Sequence, residues 1–474
     1  MNFFIWKISK IFKIVNLLLT QDKTMRYCSI ACLVSVIGLL TIWVLPNTIA
    51  FRHLLLGIGG IAAVPVIIKS RFFSGRHIVQ LLPILLLLLL FFWVIVHLTF
   101  FSLNFDLELS EVRSLWARAL VGAVIATALS IVLRREPEFQ KYFFTALFIV
   151  SAISIVAYLY LCIHFGYFIK FIDFVTLFVF KKIEAAFFGV ISISIACANL
   201  MYLMLSPSSK QKSKMIAWWL LGIGVALVAD IVSITKNGLA IGVGLSVLLA
   251  IVYLVHSMIH QSRIALKIVL PLFLIVALLA GGWQINRLFA SQGWSNFVED
   301  IEISSRIDEH SYWRKNNPIV FPMNSSGVMV SGNVYERMSW ATAGVRLIKS
   351  YPMGYGSINR SFVGLLNLAK IDQQLESQTH SGWIDFALAF GLPGLALLLS
   401  AIISIIFLGL KKGGQFGLMG AWLAIGILPF GLVAEICYKH NFEILIFFIT
   451  FAAASTIGMK DLKGKVLSVK EKIN

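Results

Sequence analysis

Three residues of this chain carry side chains suited to phosphate and hydroxyl chemistry and lie where apolar sequence gives way to polar: Lys236, Arg337 and His380. A guanidinium grips two phosphate oxygens at once and keeps its charge in any surroundings. Arg337 opens a segment in which Met338, Ala341, Val345 and Ile348 recur at helical spacing, with Arg346 and Lys349 facing elsewhere. An imidazole titrates near neutrality and takes a proton from a hydroxyl. His380 stands just before Ser381, which reads as the N-cap of a new apolar helix, and a helix N-terminus favours anions. Lys236, in the turn Thr235-Lys236-Asn237-Gly238 after Asp230, offers a second phosphate clamp. Taken singly, each also suits a plain role: a solvated helix cation, an interfacial histidine, a lysine snorkelling beside Asp230. Their shared sidedness makes them candidates.

Membrane-spanning helices must position them. The 474 residues are 59% hydrophobic and 13% charged, with a mean hydropathy of +0.88. A chain this apolar needs lipid as its solvent. The formal charge of +18 is not a nucleic-acid footprint, because the cations fall between apolar runs rather than on one basic domain. Cys28, Cys32, Cys162, Cys197 and Cys437 lie in or beside those runs with no CxxC spacing, so they read as small hydrophobes.

Residues 1–25 read as a cytoplasmic interfacial N-terminus with no cleavage site. Nine spans fill 26–284, at 26–45, 51–68, 78–100, 112–133, 141–163, 185–205, 215–234, 238–256 and 264–284. A large polar loop follows over 285–381, helical on either side of the run 324–333. Three more spans occupy 382–458, and a basic tail runs over 459–474. Each span is close to the ~20 residues that cross the hydrocarbon, about twelve in all. The aromatic stretch 164–184 reads as interfacial or re-entrant.

With the N-terminus in the cytoplasm, the basic loops 69–77, 134–141, 206–214, 257–267 and 410–413 all fall inside, as does the tail. The acidic loop 102–111 and the long loop fall outside; only the lysines of 164–184 break the pattern. No inside loop is large enough for a nucleotide-using domain, and no Walker A, GxGxxG or HExxH motif occurs. Outward-facing chemistry without ATP needs a substrate that carries its own activated bond.

The order Arg337 and Trp340, then Pro352-Met353-Gly354-Tyr355-Gly356, then His380-Ser381-Gly382-Trp383 with Gly391-Leu392-Pro393-Gly394, resembles the O-antigen ligase and O-antigen polymerase superfamily. The turn Ser233 to Gly238 resembles that family's Ser/Thr-Arg-Gly turn, with Lys236 where the family carries Arg. The short motifs cover about a fifth of the chain, and the span layout extends the likeness to the whole. The resemblance implies an all-α GT-C-type glycosyltransferase in the bacterial inner membrane. Both termini would be cytoplasmic and the site periplasmic, with no cofactor and no metal. Such enzymes transfer a glycan from undecaprenyl diphosphate to an acceptor hydroxyl, the lipid A-core oligosaccharide for ligases and another repeat unit for polymerases. The start Tyr438-Lys439-His440 with Glu443 resembles that of ligases. On this reading His380 is the base, Arg337 and Lys236 meet the diphosphate, and Arg306, Arg314, Arg346 and Arg360 are further loop cations for the acceptor.

Two rivals remain. Asp106 and Glu108 could offer carboxylates to Mg²⁺ or Mn²⁺ in a metal-dependent oligosaccharyltransferase. A lipid-glycan transporter would also use many spans, although no internal repeat is present.

Overall fold

A computed structural model describes residues 22–45, 47–171, 173–174, 182–205, 212–259, 296–314, 321–371 and 378–458, with a few positions between 274 and 281. The expected basic tail, nearly all of the interfacial N-terminus and of the ninth span, and residues 172 and 175–181 of the aromatic stretch lie outside the described residues. The described part of that stretch turns back on the preceding helix, where Tyr158 Oη donates to the Ile169 carbonyl at 2.9 Å.

The described chain is helical, with one isolated antiparallel bridge, Met323 to Met329, as its only extended pairing. In order the helices are α1 (Asp22–Trp43), α2 (Ile49–Ser70), α3 (Ile78–Phe100), α4 (Phe105–Glu111), a π-helical turn (Val112–Trp116), α5 (Ala117–Arg135), α6 (Pro137–Phe165), α7 (Lys182–Leu205), α8 (Lys212–Val232) and α9 (Lys236–Ile259). Then follow α10 (Phe297–Ser305), a 3-10 turn (Ser311–Arg314), α11 (Gly332–Ser350), α12 (Ser361–Leu368), α13 (Gly382–Lys412), α14 (Gly414–Val433) and α15 (Lys439–Thr456).

Ten helical stretches among the described residues are long and apolar enough to cross a membrane, with α4, the π turn and α5 counting as one. They match the expected spans except the ninth, which is outside the described residues, and the twelfth. That twelfth stretch, α15, opens with the polar turn Lys439-His440-Asn441 and carries Glu443. It tolerates them because protein rather than lipid surrounds it: every residue from Asn441 to Thr456 is buried, against α3, α5, α13 and α14. By contrast α2, α3 and α6 present Leu54, Ile61, Leu88, Phe92, Tyr160 and Ile163 outward, as helices facing acyl chains do.

The long loop has its own core. Tyr335, Trp340, Ala343 and Leu347 of α11 pack with Ile307, Trp313, Phe362 and Leu366, and with Leu388 of α13. This corrects the face read from the sequence: Val345 is exposed and Met338, Ala341 and Ile348 only half-buried, whereas Tyr335, Ser339, Trp340, Ala343, Gly344 and Leu347 point inward. The chosen apolar stripe lost because the two large aromatics, Tyr335 and Trp340, bury more area than Val345 does.

The two glycine-containing motifs turn out to be partners in space. Helix α13 breaks at Phe390 and Gly391, where Gly391 takes φ +70. The turn 352–356 runs beside the break and supplies the missing donors: Tyr355 N to the Leu388 carbonyl at 2.8 Å and Gly356 N to that of Ala389 at 2.7 Å. Trp93 Nε1 takes the Phe390 carbonyl at 2.9 Å, and Leu392 N returns to the Pro352 carbonyl at 2.9 Å. A broken helix in a bundle core survives only when its freed carbonyls find partners in this way. The backbones approach so closely that a Cβ on Gly354, at φ +92, would lie 2.6 Å from the Ala389 oxygen.

Buried carboxylates anchor the same turn from below. Glu108 Oε1 meets His97 Nδ1 at 2.9 Å, with both side chains fully buried, and His97 Nε2 reaches the Met353 carbonyl at 2.9 Å. Glu111 accepts from Ser357 Oγ, Ile358 N, Asn359 N and Asn359 Nδ2 at 2.6–3.2 Å. Asn359 Oδ1 in turn accepts from Lys439 N at 3.0 Å, which fixes the start of α15.

Candidate functional site

One short stretch of backbone, Val433 to Glu435, gathers Arg337, His380 and the turn that carries Lys236. It leaves the end of α14 in extended conformation, with Ala434 at φ −138 and ψ 151, so its carbonyls point sideways to neighbours rather than along a helix. Arg337 Nη1 donates to the Val433 carbonyl at 3.0 Å, and Asn237 Nδ2 donates to the same oxygen at 2.7 Å. The Ala434 carbonyl accepts from Gly382 N at 3.0 Å. Glu435 extends its carboxylate to His380 Nδ1 in direct contact. Thus α9, α11, α13 and the exit of α14 are tied at one point.

His380 is held from three sides. Its ring stacks on Trp340 with centroids 5.0 Å apart and 21° between planes. Glu435 fixes Nδ1, and the backbone sits at φ +61, a left-handed conformation few side chains adopt. Its neighbour Thr379 is pinned by Asp385, whose Oδ1 accepts from Thr379 N and Oγ1, both at 2.8 Å. Ser381 does occupy the N-cap position, yet its hydroxyl makes no cap bond and has no partner among the described residues. Asp385, reaching back from the first turn, does the ordering that was expected of Ser381.

Burial and the positive charge of Arg337 lower the His380 pKa from 6.5 to about 4. The Glu435 carboxylate opposes both, favouring the imidazolium. The imidazole is neutral at pH 7, and with Nδ1–H donated to Glu435 the lone pair lies on Nε2. Arg337 is exposed, and desolvation by its surroundings lowers its pKa against the opposing charge of Glu336, without discharging it. Lys236 is exposed at the N-terminus of α9, next to Asn237. Its turn is tightly built: Ile234 takes φ +52, and Thr235 Oγ1 donates to Asp230 Oδ1 at 2.6 Å. Asp230 therefore pairs with the turn's threonine, and room for its carboxylate comes from Gly189 and Gly238, where any Cβ would lie within 2.9 Å of it.

Among the described residues no contact joins the loop cations to this centre. Arg346 makes a two-point pair with Asp308 at 2.7 and 2.8 Å, and Arg306 pairs with Glu302 and Glu309. Arg314 lies over the Trp313 ring at 5.3 Å. Arg360 is exposed at the start of α12. Asp106 and Glu108 diverge, one exposed and the other sealed against His97, so they do not form a shared carboxylate site. A second polar group steadies α15 nearby, with Arg118 to Glu443 at 2.6 Å and His440 to Glu184 at 2.6 Å.

Glu435 is the residue sequence reasoning missed. It reads as one more polar residue between two apolar spans, and its partner lies far along the chain. The one available signal was an acid placed between two spans at the same end of the bundle as His380.

These helices define an all-α polytopic membrane protein with a polar centre at one end of the bundle. Compared with known proteins, the chain matches no family model and no curated relative.

Proposed function

We propose that this chain is a GT-C-type membrane glycosyltransferase of the O-antigen ligase kind. It would move a polysaccharide from undecaprenyl diphosphate to the lipid A-core oligosaccharide at the periplasmic face of the inner membrane. The observation that carries the proposal is the meeting of His380, Glu435 and Arg337 at residues 433–435, with the Lys236 turn tied to the same carbonyl. A neutral, oriented imidazole beside cations is what transfer from a lipid diphosphate requires.

In the proposed step His380 Nε2 takes the proton of the acceptor hydroxyl. The hydroxyl oxygen attacks the anomeric carbon from the face opposite the diphosphate, forming the new glycosidic bond with inversion. The old bond between the anomeric carbon and the diphosphate oxygen breaks, and its electron pair leaves on undecaprenyl diphosphate. Arg337 and Lys236 meet the charge that develops there, a contribution of about 3–4 kcal/mol per well-placed donor. The lipid diphosphate is a good leaving group once neutralised, so the proposed step needs no metal.

The sequence likeness supports this reading, as does the location of every one of these groups at a single end of the spans. The test is a His380→Ala chromosomal variant, with lipopolysaccharide resolved on a gel. Loss of long chains with intact lipid-linked polymer and normal membrane levels is expected. Core capped with single repeats would assign the chain to a repeat-unit polymerase instead, and unchanged long chains would remove His380 as the base.

A further inference from the structure

At the end of the bundle opposite His380, three cations from three separate connections converge. Arg76 comes from the turn between α2 and α3, Arg134 from the last turn of α5, and Lys412 from the last residue of α13. Arg76 Nη1 lies 3.8 Å and Lys412 Nζ 3.9 Å from the single point that a Cβ on Gly458 would occupy, so the two heads share one recess. Arg134 closes the C-terminus of α15: Nη2 donates to the Ala454 carbonyl at 3.2 Å and to that of Ser455, and Nη1 to that of Ile457.

We propose that Arg76, Arg134 and Lys412 form a binding site for a phosphate group, either an anionic lipid headgroup or a soluble phosphate. Like charges repel when gathered this closely, and Lys412 stands within the field of both arginines. No acidic side chain pairs with any of them among the described residues. The carbonyls ending α15 supply only about half a negative charge against three positive ones. The remaining polar partners are already used: Arg76 Nε donates to the Phe72 carbonyl at 3.3 Å, and the Arg134 guanidinium rests 4.7 Å over the Phe416 ring. Arg134 Nε is buried with no acceptor. Guanidinium and ammonium heads around one recess match the tetrahedral oxygens of a phosphate. Phe73, in the turn that carries Arg76, and Phe407 and Leu410, in the last turns of α13 before Lys412, are exposed, apolar side chains suited to the acyl chains of a lipid whose headgroup fills the recess.

The test uses the full chain, purified in a nonionic detergent and titrated with phosphatidylglycerol, phosphatidylcholine or inorganic phosphate, with bound ligand counted by native mass spectrometry. Phosphatidylglycerol binding at least about tenfold tighter than phosphatidylcholine is expected. Arg76→Gln with Lys412→Gln weakens it about twenty-five-fold, roughly fivefold for each charge removed. Arg134 is left intact because it caps α15, and circular dichroism checks that helix content is unchanged. Should the double variant lose helix, Lys412→Gln alone is expected to weaken binding about fivefold and Lys412→Arg to restore it. Competition by millimolar inorganic phosphate assigns the site to a free anion, and its failure to compete assigns the site to the headgroup. Equal binding of the two lipids with no binding of phosphate, or undiminished binding in the variants, overturns the proposal.

Discussion

The contact between Glu435 and His380 gives the sharpest test of the site. The two side chains are 15% and 18% exposed, so the carboxylate acts in surroundings that screen it weakly. A hydrogen bond to a charged group in such a place is worth about 1.5–3 kcal/mol, which corresponds to a pKa difference of about one to two units. Burial and Arg337 lower the His380 pKa, and the carboxylate opposes them. Replacing Glu435 by Gln keeps an acceptor for Nδ1–H but removes the charge. The acid limb of the rate profile is therefore expected to move down by about one to two units, with a modest loss of kcat. Glu435→Ala removes the acceptor as well, and a fall of about ten- to a hundredfold in kcat is expected, as for other groups that orient an imidazole. The assay is transfer from undecaprenyl-diphosphate-linked glycan to lipid A-core by purified protein between pH 4 and 8. An acid limb that stays in place or moves up in Glu435→Gln would refute the electrostatic argument. Undiminished kcat in Glu435→Ala would refute the positioning role.

Arg337→Gln removes a cation that depresses His380, so its acid limb is expected to rise toward 6.5 while kcat/KM falls about a hundredfold or more. The folded-state pKa of His380 lies below its unfolded value, so the unfolded chain binds the extra proton between pH 6.5 and 4. The stability this group contributes is full above pH 6.5 and is lost as pH falls toward 4. Thermal melts in detergent should show an acid destabilisation of about 3 kcal/mol that His380→Gln lacks. Gly354→Ala places a methyl 2.6 Å from the Ala389 oxygen at φ +92 and pries the turn from the break in α13. A loss of about 3–5 kcal/mol is expected, read as a fall in melting temperature. Glu111→Ala strips the acceptor of four hydrogen bonds holding residues 357–359, and about 3–5 kcal/mol should go with it.

The membrane class and most of its helices were legible in the sequence because lipid imposes a one-dimensional rule. About twenty apolar residues must come in succession, whatever the rest of the chain does. The rule weakens where its premise does. Helix α15 carries Glu443 and a polar first turn because neighbouring helices surround it, and no composition reveals who its neighbours are. The buried face of α11 was misread for a related reason. Periodicity gives the pitch of a helix, while Tyr335 and Trp340 found their burial only against residues of other segments.

At the site, residue type marked Lys236, Arg337 and His380, since few side chains bind phosphate or move protons at the edge of an apolar span. Sequence could not show that the 352–356 turn and the Gly391 break complete one another. Nor could it show that Val433 to Glu435 is where Arg337, His380 and the turn carrying Lys236 come together. Those relations are hydrogen bonds and an ion contact between groups far apart in the chain, such as Asn237 with Val433 and His380 with Glu435. Local sequence sets what each helix is and how long it runs. Which carbonyl is left bare, and which distant donor answers it, is decided only when the helices pack.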